Sequence, residues 1–384
     1  MVQVHNFSDF KSEFEGVLLP FLTSRAILVL TGLLSYLYRA SDLYPLRKAV
    51  EQGWHFTPYR LLDMWARWDS GWYLSIVFDG LRKSEGLTNL AFFPLYPFLM
   101  RAGNYFLFDF KGHRTTFVLI GILISNLAFL GALLILRKVL LRLGYSESFA
   151  RGTLWLLLIT PFSFFFSAVY TEGIFIFLVL ATVWFCMDKR WLLCAVTAAL
   201  LMVTRPLAQL VVIPIAISYL VQNKGRIHWR DVFSFALVPL VAFGYIWTLY
   251  LISGDWLMII NSHSGWGHQT SNPWAVLTHI DLNYLVSGYI NISMVLMVTG
   301  LLLLAIWKYP LKQWSLFGLF LVITPLFLGV STSLGRYTVT SFTAMIALQG
   351  LLENRPNLRR LVMYGMLAVQ ALLFAGFVRF YWVG

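Results

Sequence analysis

Charge is what this 384-residue chain has least of. Only 12% of its residues are Asp, Glu, Lys or Arg, against roughly 25% in an ordinary soluble domain. That shortage excludes a soluble globular fold and a disordered chain. Cysteine is nearly absent, at two residues, which excludes a small disulfide-stapled domain. There is no glycine-rich phosphate loop of either nucleotide-binding pattern, so no nucleotide cofactor is indicated. There is no CxxC, no HExxH and no tight His/Cys cluster, so no structural metal is expected. No basic run is longer than two residues. The net charge of +12 therefore reads as cytoplasmic loops and lipid headgroup contacts, not nucleic acid.

What the chain has in excess is apolar surface. Apolar residues make up 59% and aromatics 17%, with a mean hydropathy of +0.73. Apolar runs lie at about 26–38, 116–136, 152–167, 171–187, 191–204, 206–221, 232–252, 284–307, 314–330, 337–352 and 361–380. Backbone polar groups cannot stay unpaired in lipid, and these runs exceed barrel strands, so each must be helical. The expectation is an all-α polytopic membrane protein with about eleven transmembrane helices in a single domain, residues 1–384. Several runs are short for a straight crossing, so half-helices are compatible with the pattern. No strong internal repeat is visible.

With the N-terminus in the cytoplasm, the expected inner connections hold fourteen basic residues, among them Arg137, Lys138, Arg142, Arg359 and Arg360. The short outer connections hold only Arg205 and Arg336, and the outer loop of about 253–283 has no Lys or Arg. This asymmetry sets the orientation. The first outer loop, about 42–115, carries nine basic residues, but long loops translocate regardless of charge. Cys186 and Cys194 then fall near the inner face and read as core packing.

A charge beside or inside an apolar run costs about 2.5–3.5 kcal/mol at a helix centre, so its position is informative. Asp69, Glu172, Arg205, Asp255 and Arg336 come from five separate regions and all fall on the outer side. Around Asp69, aromatics at Trp65, Trp68, Trp72 and Tyr73 follow helical spacing. With Leu61, Leu62, Ile76 and Val77 they form one apolar face, as an interfacial helix would. Anchoring alone explains the tryptophans but not a carboxylate between them. An Asp held against apolar rings is partly desolvated and suited to accept a proton. Asp79 is the alternative acid in this loop. Ala91-Phe92-Phe93-Pro94-Leu95-Tyr96-Pro97 reads as a stiffened turn, because its two prolines break a helix.

The segments WDSGWY (68–73) and AFFPLYP (91–97), in this order, resemble the PIG-V-type mannosyltransferases. Further stretches match in sequence order: Pro161–Phe165 followed by Tyr170-Thr171-Glu172, then Thr204-Arg205-Pro206, then Gly254-Asp255, Trp266-Gly267 and Pro273-Trp274, and finally Gly335-Arg336-Tyr337. The resemblance covers about 65–340. The family often has a glycine soon after the intramembrane Arg and a basic residue after the loop Trp-Gly; here stand Ala208, Gln209 and His268.

The resemblance implies a GT-C-like glycosyltransferase in a bacterial plasma membrane, whose first outer loop carries a catalytic or metal-binding acid. It implies a polyprenyl-phosphate sugar as donor and a lipid or glycolipid as acceptor, with mannose as the sugar. On that reading Asp69 is the general base, and Arg336 and Arg205 bind the donor phosphate. Trp68, Glu172, Tyr170, Asp255, His263, Trp266 and Tyr337 line the substrate site. No cofactor is expected, although a divalent ion held by Asp69 and a second acid stays open. Two other functions remain compatible with the residues: a transporter or flippase for lipid-linked sugars, and a non-catalytic membrane scaffold.

Overall fold

The computed structural model describes residues 13–37, 55–84, 86–108, 113–266, 271–278, 285–329 and 333–383. Among them there is helix and no strand. A π turn, Phe14–Leu18, leads into α1 (Leu19–Leu37). The stretch between α1 and the next long helix contributes α2 (Arg60–Asp63), α3 (Ser70–Asp79) and α4 (Leu95–Phe108). The body continues with α5 (Arg114–Arg142), α6 (Glu147–Ile159), α7 (Glu172–Met187), α8 (Trp191–Met202) and α9 (Val212–Gln222). Then come α10 (Trp229–Phe235), α11 (Leu237–Ser253), and the short α12 (Met258–Asn261) and α13 (Pro273–Thr278) of the later loop. The last group is α14 (Leu285–Lys308), α15 (Lys312–Phe327), α16 (Leu334–Val339), α17 (Phe342–Leu352) and α18 (Pro356–Val378).

Every apolar run of the sequence is helical over most of its described length, but the runs differ in reach. Five helical stretches are long and apolar enough to cross a membrane: Phe14–Leu37, Arg114–Arg142, Trp229–Ser253, Gly288–Lys308 and Pro356–Val378. Five further apolar helices run only 10–17 residues, short of the roughly 20 that a crossing needs. Helix α7, one of these, packs on α5 and α8 and is among the most deeply buried parts of the protein. Cys186, near the C-terminal end of α7, and Cys194, on α8, are both buried as free thiols.

Two local expectations are corrected. The aromatic stretch around Asp69 is not one helix from Leu61 onward. The chain turns at 64–69, and α3 begins only at Ser70. Nor does the second proline of the AFFPLYP stretch end a helix. Pro97 sits in the first turn of α4, where the missing N–H has no intrahelical acceptor to lose.

Candidate active site

Asp69 stands at the start of α3, on a turn whose preceding residue is strained. Trp68 has φ 53°, a left-handed conformation that costs a non-glycine residue about 1–3 kcal/mol and persists only where the surroundings impose it. Here they do. The Arg67 amide donates to Ser70 Oγ at 3.1 Å. The Tyr170 hydroxyl donates to the Arg67 carbonyl at 3.0 Å and accepts the Asp69 amide at 3.2 Å. The fully buried Arg67 side chain donates to the Asp63 carboxylate at 2.7 Å, to the Ala66 carbonyl at 2.8 Å and to the Val378 carbonyl at 3.2 Å. Asp63 in turn accepts from the Phe56 amide at 2.9 Å and contacts His55 Nδ1 at 2.6 Å. Burial alone would push the Asp63 carboxyl up. The hydrogen bond from His55, the Arg67 charge and the Phe56 amide outweigh it and hold the group below its ordinary value.

Three more charged side chains reach the Asp69 region, each from a break in a helix. Glu172 is the first residue of α7, where the helix N-terminus favours a negative charge. The following Gly173 is required there, because a Cβ would lie 2.5 Å from the Ser125 carbonyl oxygen. Arg205 lies between α8 and a 3-10 turn, Pro206–Val211. Its backbone is extended (φ −156°, ψ 152°), as the residue before a proline prefers. Arg336 sits in the single-turn α16. Its neighbour Gly335 cannot carry a side chain, since a Cβ would come within 2.0 Å of the Phe162 ring.

These groups form one chain of charge. Arg336 donates from Nη1 to Asp69 Oδ2 at 2.5 Å and from Nε to Glu172 Oε1 at 3.1 Å. Arg205 Nη2 approaches the same Glu172 oxygen at 3.2 Å. Glu172 is fully buried, and among the described residues nothing donates to its other oxygen, Oε2. Aromatic faces back both guanidinium groups. Arg336 lies 4.9 Å from the Tyr170 ring centre and 5.3 Å from Phe165; Arg205 lies 5.4 Å from Tyr337 and 5.5 Å from Phe175. Buried ions cost several kcal/mol each unless well paired. Two acids and two arginines pair here with no net charge.

A cavity of about 160 Å³ opens on this chain of charge, with Asp69, Arg205, Arg336, His263 and Tyr337 among its lining residues. The sequence reading places these five at the site. It does not anticipate Tyr73, Phe92, Phe93, Thr204, Ser333 and Trp382, which also line it.

Other expected site residues lie elsewhere. Tyr170 is buried beneath Arg336 and supports the turn before α3 instead of lining the cavity. Trp68 packs edge-on against Trp382, ring centres 5.1 Å apart, behind the wall. Asp255 is bound within its own loop, accepting from Asn261 Nδ2 and the Leu257 amide at 2.8 Å each, which lowers its carboxyl below the ordinary value. Asp79 is exposed at the end of α3, 3.9 Å from Arg82. Trp266 closes the 3-10 turn Ser264–Trp266, but its side chain, with Gly267 and His268, lies outside the described residues.

Among the described residues no group of three or more His, Cys, Asp or Glu gathers in one place. The two acids nearest the cavity already face guanidinium groups, which repel a cation.

The family described as mannosyltransferase (PIG-V) matches residues 18–254. No curated protein is similar enough in sequence to count as a relative. Among solved structures, ArnT from Cupriavidus metallidurans bound to undecaprenyl phosphate is similar, with a TM-score of 0.51 and 15% identity. The match covers 79% of this chain and 58% of that one, and at this identity it speaks for the GT-C fold alone. The family match takes in more than half of the chain, and this integral membrane protein therefore belongs to the PIG-V mannosyltransferases.

Proposed function

We propose that the protein transfers mannose from a polyprenyl-phosphate donor to a lipid-linked or glycolipid acceptor, at the outer face of a bacterial plasma membrane. The observation that carries this reading is the chain Asp69–Arg336–Glu172–Arg205 on one cavity. It brings a carboxylate and two guanidinium groups, a side chain suited to phosphate, onto one cavity. The family's mannosyltransferase description supports the sugar. The undecaprenyl phosphate bound by the ArnT neighbour supports the donor class.

In the proposed step the Asp69 carboxylate takes the proton of the acceptor hydroxyl. The acceptor oxygen bonds to C1 of the sugar as the bond from C1 to the phosphate oxygen breaks. The polyprenyl phosphate leaves with the electron pair, and the configuration at C1 inverts. Arg336 and Arg205 stabilise the charge growing on the leaving phosphate, to which a guanidinium fork is suited. Glu172 holds both arginines in place. His263 and Tyr337 complete the wall that meets the sugars.

The test is donor turnover by purified protein in nanodiscs, with polyprenyl-phosphate mannose and glucose as donors and a membrane lipid extract as acceptor. Transfer of mannose by wild type but not by Asp69→Asn is expected. An unchanged rate in Asp69→Asn overturns the role of Asp69. Polyprenyl phosphate binding without turnover of any donor, across acceptor extracts, favours a transporter.

A further inference from the structure

The segment after α18 builds part of the cavity wall, and it lies far outside the matched family region. Its course is fixed by buried contacts. Phe380 takes φ 64°, and the Tyr381 amide returns to the Gly376 carbonyl at 2.9 Å, so the chain folds back at the helix end. Phe380 is buried, with the Arg67 guanidinium 4.1 Å above its ring centre and the His55 ring edge-on at 5.0 Å. The same Arg67 donates to the Val378 carbonyl. Val383 is buried on the far side. Between these two anchors stands Trp382, which lines the cavity with Asp69 and Arg336.

The indole nitrogen of Trp382 is buried and finds no acceptor among the described residues. A buried donor without an acceptor is unfavourable, and on a cavity-lining ring that packs edge-on against Trp68 it is satisfied when a ligand brings an oxygen. The cavity, about 160 Å³, is close in size to an engineered cavity of about 150 Å³ that holds one six-membered ring. Its walls include both the proposed base and a proposed phosphate-binding arginine. On the transferase reading, the ring held between them is that of the transferred sugar.

We propose that Trp382 is a sugar-recognition residue. Its indole N–H donates a hydrogen bond to an oxygen of the transferred pyranose, and its aromatic edge packs on the ring. The inference rests on the transferase reading above.

The test compares wild type, Trp382→Phe and Trp382→His in nanodiscs. The probes are undecaprenyl phosphate and undecaprenyl-phosphate mannose, with binding and steady-state turnover read separately. The Phe variant is expected to bind the mannosylated carrier about tenfold more weakly, the weight of one lost hydrogen bond, and to bind the bare carrier as wild type does. Its loss should fall on the donor KM more than on kcat. The His variant, which keeps a ring N–H, should recover part of the affinity. Equal binding of both carriers by wild type and Trp382→Phe overturns the proposal. So does an equal loss in both variants, which means packing alone, or a change confined to the acceptor KM. If wild type turns over no donor, the transferase reading falls. The binding comparison still decides whether Trp382 recognises the sugar.

Discussion

Arg336 Nη1 and Asp69 Oδ2 lie 2.5 Å apart although 267 residues separate them in the chain. The guanidinium that is proposed to receive the phosphate thus also holds the proposed base. In the structure the Asp69 carboxylate accepts this hydrogen bond from Arg336. Under the proposed reaction, a donor phosphate at Arg336 would compete for the guanidinium that now bonds Asp69.

Asp69→Asn is expected to lower kcat by about 10²–10⁴-fold, the usual worth of a positioned general base. The protein should still fold, because Arg336 keeps its bond to Glu172. Asp69→Glu should also be poor, since a base must sit within about 0.5 Å of its productive position. Turnover together with a thermal melt of each variant checks both statements.

Glu172→Gln removes the anion that, among the described residues, Arg205 and Arg336 share. Breaking a buried ion pair by deleting one partner costs about 3–5 kcal/mol. The variant should melt well below wild type, unlike Asp69→Asn. A melting temperature equal to that of wild type means that Glu172 is not the electrostatic centre of the site.

Stability should depend on pH through Asp63. Its carboxyl titrates below the ordinary value in the folded protein, so its contribution is complete above the unfolded value of about 3.9. That contribution is lost as pH falls through the lower, folded value. Thermal melts of wild type and Asp63→Asn between pH 7 and pH 3 should converge at the acid end, with the gap largest at neutral pH.

Chelation should leave turnover intact. No three-ligand cluster forms among the described residues, and Asp69 and Glu172 already face arginines. Treatment with EDTA followed by a turnover assay with and without added Mg²⁺ or Mn²⁺ checks this. A rate that collapses and returns with one of these ions contradicts it.

The four charged residues of the site were legible because charge in an apolar chain is costly. Asp69, Glu172, Arg205 and Arg336 each interrupt or border an apolar run, and each proves to have an opposite charge within reach. The same reasoning overreached at Asp255, which looks alike in sequence but spends its oxygens on Asn261 and the Leu257 amide. Tyr170 was legible as important but not for its task. A tyrosine's partner across 103 residues, here the Arg67 carbonyl, is set by tertiary packing. Trp382 carried no signal, because a tryptophan just after an apolar span reads as an interface anchor. The start of α3 at Ser70 was hidden for a related reason. Helical spacing of aromatics continued through a turn that Tyr170 and the Val378 carbonyl, the latter through Arg67, hold from outside the segment.

The pairing of two acids with two arginines bears on how the catalytic cycle ends. Under the proposed reaction the donor enters as a phosphodiester carrying one negative charge. The carrier left behind is a phosphomonoester, with a charge of about −1.5 to −2 near pH 7. Two fixed guanidinium groups therefore grip the spent carrier more firmly than the loaded one. Escape of polyprenyl phosphate, not cleavage at C1, then becomes the slow event, and added free carrier should act as an inhibitor competitive with the donor.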